Sequence, residues 1–291
     1  MKCRKRTKFI LLSILIIICW IFNLQYKWIS FHPFKGGGKA DFRVLTWNIH
    51  NSGKDFDARQ PGITQLILDE DADIVLLNEF CLRKSPVMDS TLRLRYPYVV
   101  DNWAKPFSGD IFYSKYPIKR FRRINNDTLW PLAYEFRLEI NERDIRIVGC
   151  HLLSTNNLSK QRYTLKKWKD LSTLPTYYNI YKEGKAMRTA ETELIMSRIQ
   201  KDTLPTLIMG DMNDMSGMAP LNRIEENGFQ DAWWKGGTGC GITFVEGWMR
   251  FRLDHIMYNS SFTLIDINVI DTPLSDHRPL IGSFKLNSED S

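Results

Sequence analysis

Five stretches of the chain end an apolar run with a carboxylate, an amide or an imidazole, or set such groups just before one. Asn48 and His50 follow the run closing at Trp47, Glu79 follows 74–77, and His151 follows 147–150. Asp211 and Asn213 follow 207–210, and Asp276 and His277 stand directly before Pro279 and Leu280. The oxygens of Glu79 and Asp276 suit a Mg²⁺-like ion, which takes one or two carboxylates plus water and substrate phosphate. Mn²⁺ or Ca²⁺ would accept the same hard donors. With a histidine held by a carboxylate and a second proton donor, such a site attacks a phosphate ester with activated water. Zinc is disfavoured, since the chain has no H-E-x-x-H and no paired cysteines. Covalent catalysis is disfavoured too: G-x-S-x-G and a P-loop are both absent. Singly, each residue has a plain alternative as a turn cap, a surface group or a core histidine. As a set at repeated strand exits, they match the place where an α/β sheet collects a site.

The elements that must hold these groups are short strands alternating with helices. Strand-like runs cover 42–47, 73–77, 110–113, 145–150, 206–209, 252–257 and 280–284, and helical spacing is clearest in 63–68 and 186–199. The pattern predicts an α/β or α+β domain without internal repeats. Cys81, Cys150 and Cys240 are an odd, widely spaced trio, which is neither a disulfide framework nor a metal knuckle.

The 291 residues carry a formal charge of +7, which taken whole invites a nucleic-acid reading. Six of the basic residues, however, lie within 1–31, where there is no Asp or Glu, and removing them leaves 34 basic against 33 acidic. A basic cluster over 1–8 and an apolar run from 9 to 22, extended weakly to 31 with Trp20, Tyr26 and Trp28, predict a transmembrane signal anchor. By the positive-inside tendency its basic end is cytoplasmic and the rest of the chain outside, on the periplasmic face in a Gram-negative cell. A Gly-rich linker is expected over 32–40, a catalytic domain over 41–286 and a polar tail over 287–291. Within the domain, 156–188 nets +6 with interleaved Tyr and Trp, and reads equally as a solvated helical surface with a loop or as an anion-facing flap.

The ordered motifs TWNIH (46–50), LLNEF (76–80), GDIFYSKYPI (109–118), GCHLL (149–153), GDMND (210–214), RLDHI (252–256) and SDHRP (275–279) resemble the endonuclease/exonuclease/phosphatase superfamily. The resemblance spans 41–286 and rests most firmly on the last three motifs in that order. It implies a four-layer sandwich of two packed mixed β-sheets flanked by helices, hydrolysing a phosphate ester with a divalent metal. Carried over, Glu79 matches the principal metal ligand, Asn48 a metal- or phosphate-side amide, and Asp211 with Asn213 the pair contacting attacking water and phosphate. His277 matches a base or phosphate ligand, Asp254 its orienting carboxylate, Asp276 a group beside metal and water, and His151 the acid for the leaving group. Asn78 stands where Gln is usual, Asp110 where Asn is common and His255 where Tyr is frequent. Asp110 reads as an extra metal-side carboxylate or a loop residue; with Arg188 and Arg252 it completes the candidate substrate contacts.

The expected activity is that of a membrane-anchored Mg²⁺-dependent phosphodiesterase or nuclease. The basic aromatic segment suits nucleic acid, and equally a phospholipid head group, by phosphate attraction and by stacking or interfacial insertion. A sphingomyelinase-like or inositol-phosphate-phosphatase-like enzyme on the same site is the alternative, and a non-catalytic binding module is the reading from a different class.

Overall fold

Neighbouring residues of the central strands face opposite ways, and in this chain both faces are apolar. In the computed structural model the described residues are 2–32, 37–101, 109–125, 131–155, 174–200 and 203–288, with side chains from residue 12 onward in the N-terminal helix. Numbered along the chain, one six-stranded sheet has the order β15 (Phe262–Val269), β16 (Leu280–Leu286), β2 (Phe42–Asn48), β3 (Ile74–Phe80), β5 (Gly109–Ser114), β4 (Tyr98–Asp101). The other runs β10 (Gln230–Asp231), β14 (Asp254–Tyr258), β9 (Thr206–Asp211), β8 (Arg143–His151), β7 (Pro131–Ile140), β6 (Ile118–Asn125).

Val44, Ile74, Leu76 and Phe112 from the first sheet meet Phe136, Ile147, Leu207 and Met209 from the second in one buried cluster. Leu45, Trp47, Val75 and Leu77 turn the other way, onto α2 (Phe56–Glu70) and α3 (Pro86–Arg95). Val148, Cys150, Ile208 and Met257 do the same for α4 (Leu174–Ile199) and α5 (Ala219–Glu226). Two apolar faces per strand therefore produce helix, sheet, sheet, helix, the sandwich expected from the motifs.

Each sheet is antiparallel except for one parallel pair, β2 with β3 and β8 with β9. Parallel neighbours end at the same edge. Register therefore brings Asn48 opposite Asn78 in one sheet and His151 opposite Asp211 in the other. Gly210 lets β9 finish this close to β8: its φ is +141°, and a Cβ there would lie 1.9 Å from the Cys150 carbonyl oxygen.

All seven expected strands are present; six are longer than expected by one to three residues, while 252–257 is observed as the shorter Asp254–Tyr258, and the helical stretches 63–68 and 186–199 are parts of α2 and α4. The segment 156–188 divides: 174–188 is helical, while 156–173 lies outside the described residues, as do 33–36 of the expected linker and 289–291 of the tail.

The N-terminal helix α1 (Lys2–Tyr26) ends five residues earlier than the expected anchor. Lys27 takes a left-handed φ of 51°, and Ser30 and Phe31 form the short strand β1 against β11 (Thr238–Gly239). Among the described residues no helix is long and apolar enough to cross a membrane.

Candidate active site

The parallel pairs deliver two groups each to a common edge, and loops from the other side complete the site. Glu79 sits in a β-bulge between β3 and β5, at a φ of +56°. Asn213 and His50 also have positive φ, 49° and 47°. Left-handed backbone at three non-glycine residues beside one site is strain held by its surroundings.

Asp211 is the centre. One carboxylate oxygen, Oδ2, accepts from Asn48 Nδ2 at 3.0 Å. The same oxygen lies 3.7 Å from His151 Nε2 and 3.8 Å from His277 Nε2. Those separations are too long for direct hydrogen bonds and short enough for both rings and the carboxylate to reach one substrate oxygen. Its other oxygen accepts from the backbone N–H of Asn213 at 2.9 Å, and the Asn213 amide donates to the Leu152 carbonyl at 2.9 Å.

His277 is held from every side. Nδ1 donates to Asp254 Oδ2 at 2.7 Å, so Nε2 faces Asp211. The Phe244 ring lies 5.0 Å away edge-on, and the His277 carbonyl accepts from Trp47 Nε1 at 2.9 Å. Asp254 is anchored by Thr243, whose hydroxyl accepts the N–H groups of Leu253 and Asp254, both at 3.0 Å.

Burial disfavours the His277 imidazolium, but the charges of Asp254 and Asp211 outweigh it and push the pKa up to about 10. His151 faces the same contest between burial and the carboxylates of Asp110 and Asp211, and is pushed up to about 9. For Asp211, burial raises the carboxyl against the pull of the two imidazoles.

Glu79 connects to this centre through Asn48, whose Nδ2 also reaches Glu79 Oε1 at 3.2 Å. Asp276 turns toward His50, with Oδ2 3.1 Å from His50 Nδ1. Burial raises the Asp276 carboxyl, yet the bond from His50 and the charge of His277 leave it below its usual range. Asp110 contacts His151 Nδ1 at 3.7 Å and accepts from Asn78 Nδ2 at 2.8 Å.

The two arginines are committed internally. Arg188 is fully buried and donates to Asp214 at 3.1 Å and to the Leu153 carbonyl at 3.0 Å. Arg252 is 6% exposed and donates to Ser216 Oγ at 2.6 Å. Both brace the chain around 211–216.

Asp211, Asp254 and His277 offer atoms within 4.8 Å of one another, a cluster able to hold a metal ion. The carboxylates and amide of Glu79, Asp276 and Asn48 adjoin it but are not part of it. The surplus of hard oxygen donors, with the Asp254 Oδ1 atom buried and without a partner, fits a divalent cation.

His50 and Thr243 are contributors that motif reading left without a role. His50 had a signal, its place at a strand exit; Thr243 had none, because its partners lie ten and eleven residues away across a hairpin.

Two packed mixed sheets carrying carboxylates, amides and two imidazoles at one edge define a phosphoric ester hydrolase of the deoxyribonuclease I-like fold. The chain belongs to the Endonuclease/Exonuclease/phosphatase family, whose sequence model matches residues 45–277. Among solved structures it is similar to an endonuclease/exonuclease/phosphatase family protein from Bacteroides thetaiotaomicron, at TM-score 0.64 and 17% identity over 85% of this chain and 98% of that one. It is also similar to truncated Caenorhabditis elegans TDP2, at TM-score 0.59 and 16% identity over 84% and 97% of the two chains. A third similar structure is D. rerio TDP2 complexed with single strand DNA product, at TM-score 0.61 and 15% identity over 85% and 99%. At these identities the likeness is one of fold. No curated protein sequence matches the chain.

Proposed function

We propose that this protein is a metal-dependent phosphodiesterase acting on nucleic acid, tethered to a membrane by α1 with its catalytic domain outside. The observation that carries the chemistry is the single Asp211 oxygen facing both histidine Nε2 atoms at 3.7 and 3.8 Å. A nucleic-acid substrate is favoured by the likeness to a TDP2 structure holding single-strand DNA product. The tether rests on the basic 1–8 and apolar 9–22 sequence, and on the exposure of Leu15, Ile16, Ile18 and Trp20 along the helix, each above half.

In this reading Glu79, with Asn48 and Asp276 adjoining, would hold Mg²⁺, or Mn²⁺ or Ca²⁺ in its place. The bound ion supplies charge neutralisation at the phosphate. Asp211, with the Asn213 amide, orients the attacking water and takes its proton, and His277, fixed by Asp254 and charged at neutral pH, hydrogen-bonds a phosphate oxygen. His151 donates a proton to the departing oxygen; its raised pKa keeps it charged at neutral pH.

The test is turnover by the full chain in detergent on single-stranded DNA, sphingomyelin and inositol phosphates, each with Mg²⁺ and with chelator. Chelator-sensitive cleavage of DNA is expected. Cleavage of sphingomyelin or inositol phosphate alone would move the reading to the lipid or phosphomonoester alternative, and no turnover on any substrate would leave a binding module.

A further inference from the structure

A Gly-rich linker beginning at residue 32 would leave the catalytic domain swinging freely from the N-terminal helix. The chain between them does not behave that way. The Asn23 side chain and Ile29 backbone exchange two hydrogen bonds, at 2.7 and 2.8 Å, which fold the chain back after α1. Lys27 pairs with Glu225 on α5. Ser30 is 1% exposed, and its hydroxyl donates to the Trp234 carbonyl at 3.1 Å, in the short helix α6 (Ala232–Gly236). Beyond it β1 adds a strand to β11, and the His32 carbonyl accepts from Thr238 Oγ1 at 2.8 Å. This is strand addition to an exposed edge, with the occupant supplied by the chain itself.

Arg252 is where this docking meets the site. Its Nη2 donates to the Lys27 carbonyl at 2.8 Å, to Ser216 Oγ at 2.6 Å and to Asp231 Oδ2 at 3.4 Å. Burial works against the Asp231 carboxylate, yet the charges of Arg252 and His255 hold it well below the usual carboxylate range. Ser216 belongs to the loop that follows Asp211 and Asn213. The Leu253 carbonyl accepts from Met212 N at 2.9 Å, and the next residue, Asp254, orients His277. Asp254 is two strand steps, about 7 Å of chain, beyond Arg252. One buried guanidinium thus touches the tether, the water-side loop and the strand that aims the histidine.

We propose that residues 27–32 are a docking strand that fixes the attitude of the domain on the N-terminal helix, and that Arg252 is a positioning residue coupling its docked state to the catalytic loop 211–216. The groove between α5, α6 and β11 has this segment as its occupant. The catalytic edge is therefore held a short, set distance from the helix end, and loss of docking loosens the loop that carries Asp211. The activity arm of the test rests on the phosphodiesterase reading; the docking arm does not.

The experiment uses the full chain in detergent micelles. Ser30→Arg forces a long cation into a buried position and undocks the strand. Hydrogen exchange is expected to rise in 27–32 and in 212–218 together. On bis(p-nitrophenyl) phosphate with Mg²⁺, kcat is expected to fall about tenfold while KM stays within about twofold. Lys27→Glu should give a smaller loss of the same kind, and Glu225→Lys added to it should restore both protection and kcat; this pair carries the test if Ser30→Arg does not fold. Faster exchange at 27–32 with 212–218 and kcat at wild-type values would overturn the coupling. Wild-type exchange at 27–32 as fast as an unstructured peptide would overturn the docking. Absence of turnover in the wild-type chain would defeat the phosphodiesterase reading and leave the exchange result to decide the docking.

Discussion

The two histidines at the site stand at the same edge of the sandwich in opposite surroundings. The His277 side chain is 7% exposed and bonded to a fully buried carboxylate at 2.7 Å. That of His151 is 26% exposed and has its own carboxylate, Asp110, at 3.7 Å. Both face the same oxygen of Asp211. On the proposed mechanism the difference separates two jobs: a ring locked by Asp254 and braced by Phe244 is built to hold one position, whereas a ring with slack can follow a leaving group as its bond to phosphorus lengthens.

The comparison breaks if the two rings prove interchangeable. His277→Ala should lower kcat about 10³-fold, by the same factor for a nitrophenyl ester and for a DNA strand, because the locked ring acts on groups common to both. His151→Ala should cost about 10²-fold on DNA, whose leaving alkoxide needs a proton, and far less on a nitrophenyl ester, whose leaving group does not. Steady-state kinetics of both variants on both substrates reads this directly. A leaving-group-dependent loss for His277 instead would reverse the assignment.

How much of this contrast was legible in the sequence follows from what a single chain encodes locally. The central strands announced themselves because both faces are largely apolar, so 207–209 is a continuous hydrophobic run and Ile145, Ile147, Val148 and Cys150 form another, interrupted by Arg146. β7 carried an equally physical signal, Tyr134, Phe136 and Leu138 alternating with Glu135 and Arg137, but its charged partners masked it. Glu135 lies 1% exposed under α4, bridged to Arg137 and Arg146, where a carboxylate would be expected in water. The site residues were readable from their strand exits, whereas their pairing was not. His50 meets Asp276 from 226 positions away, and Arg252 meets Lys27 from 225, distances no local pattern spans. The docked strand at 30–31 was hidden for a further reason: two residues between an apolar helix and a Gly-rich stretch show no periodicity at all.

The buried ring also has a signature in stability that the open ring shares less. In the metal-free chain the folded state keeps the His277 proton up to about pH 10, while an unfolded histidine releases it near 6.5. The folded pKa is raised, so this stabilisation is complete below 6.5 and is lost as pH rises through about 10. Thermal melting in chelator should therefore show a midpoint that declines across that window, and His277→Gln should flatten the decline. A midpoint that rises over the same range would mean that the imidazolium is not what Asp254 and Asp211 hold.

The smallest expected effect concerns the slack itself. Asp110 reaches His151 only at 3.7 Å, and Asn78 Nδ2 holds the same Asp110 oxygen at 2.8 Å, so this carboxylate is shared between ring and amide. Asp110→Asn removes the negative charge without emptying the position. The His151 proton, held up to about pH 9 by Asp110 and Asp211, should then be released at lower pH, because the charges of Asp211 and Glu79 are left to oppose the burial that favours the neutral ring. His277, whose charge partners are Asp254, Asp211 and Asp276, should keep its midpoint. Imidazole titration by NMR in the metal-free chain resolves the two rings. A lowered His151 midpoint beside an unmoved His277 sharpens the division between locked and adjustable histidine, and a shift of both together would show that the edge titrates as one unit through Asp211.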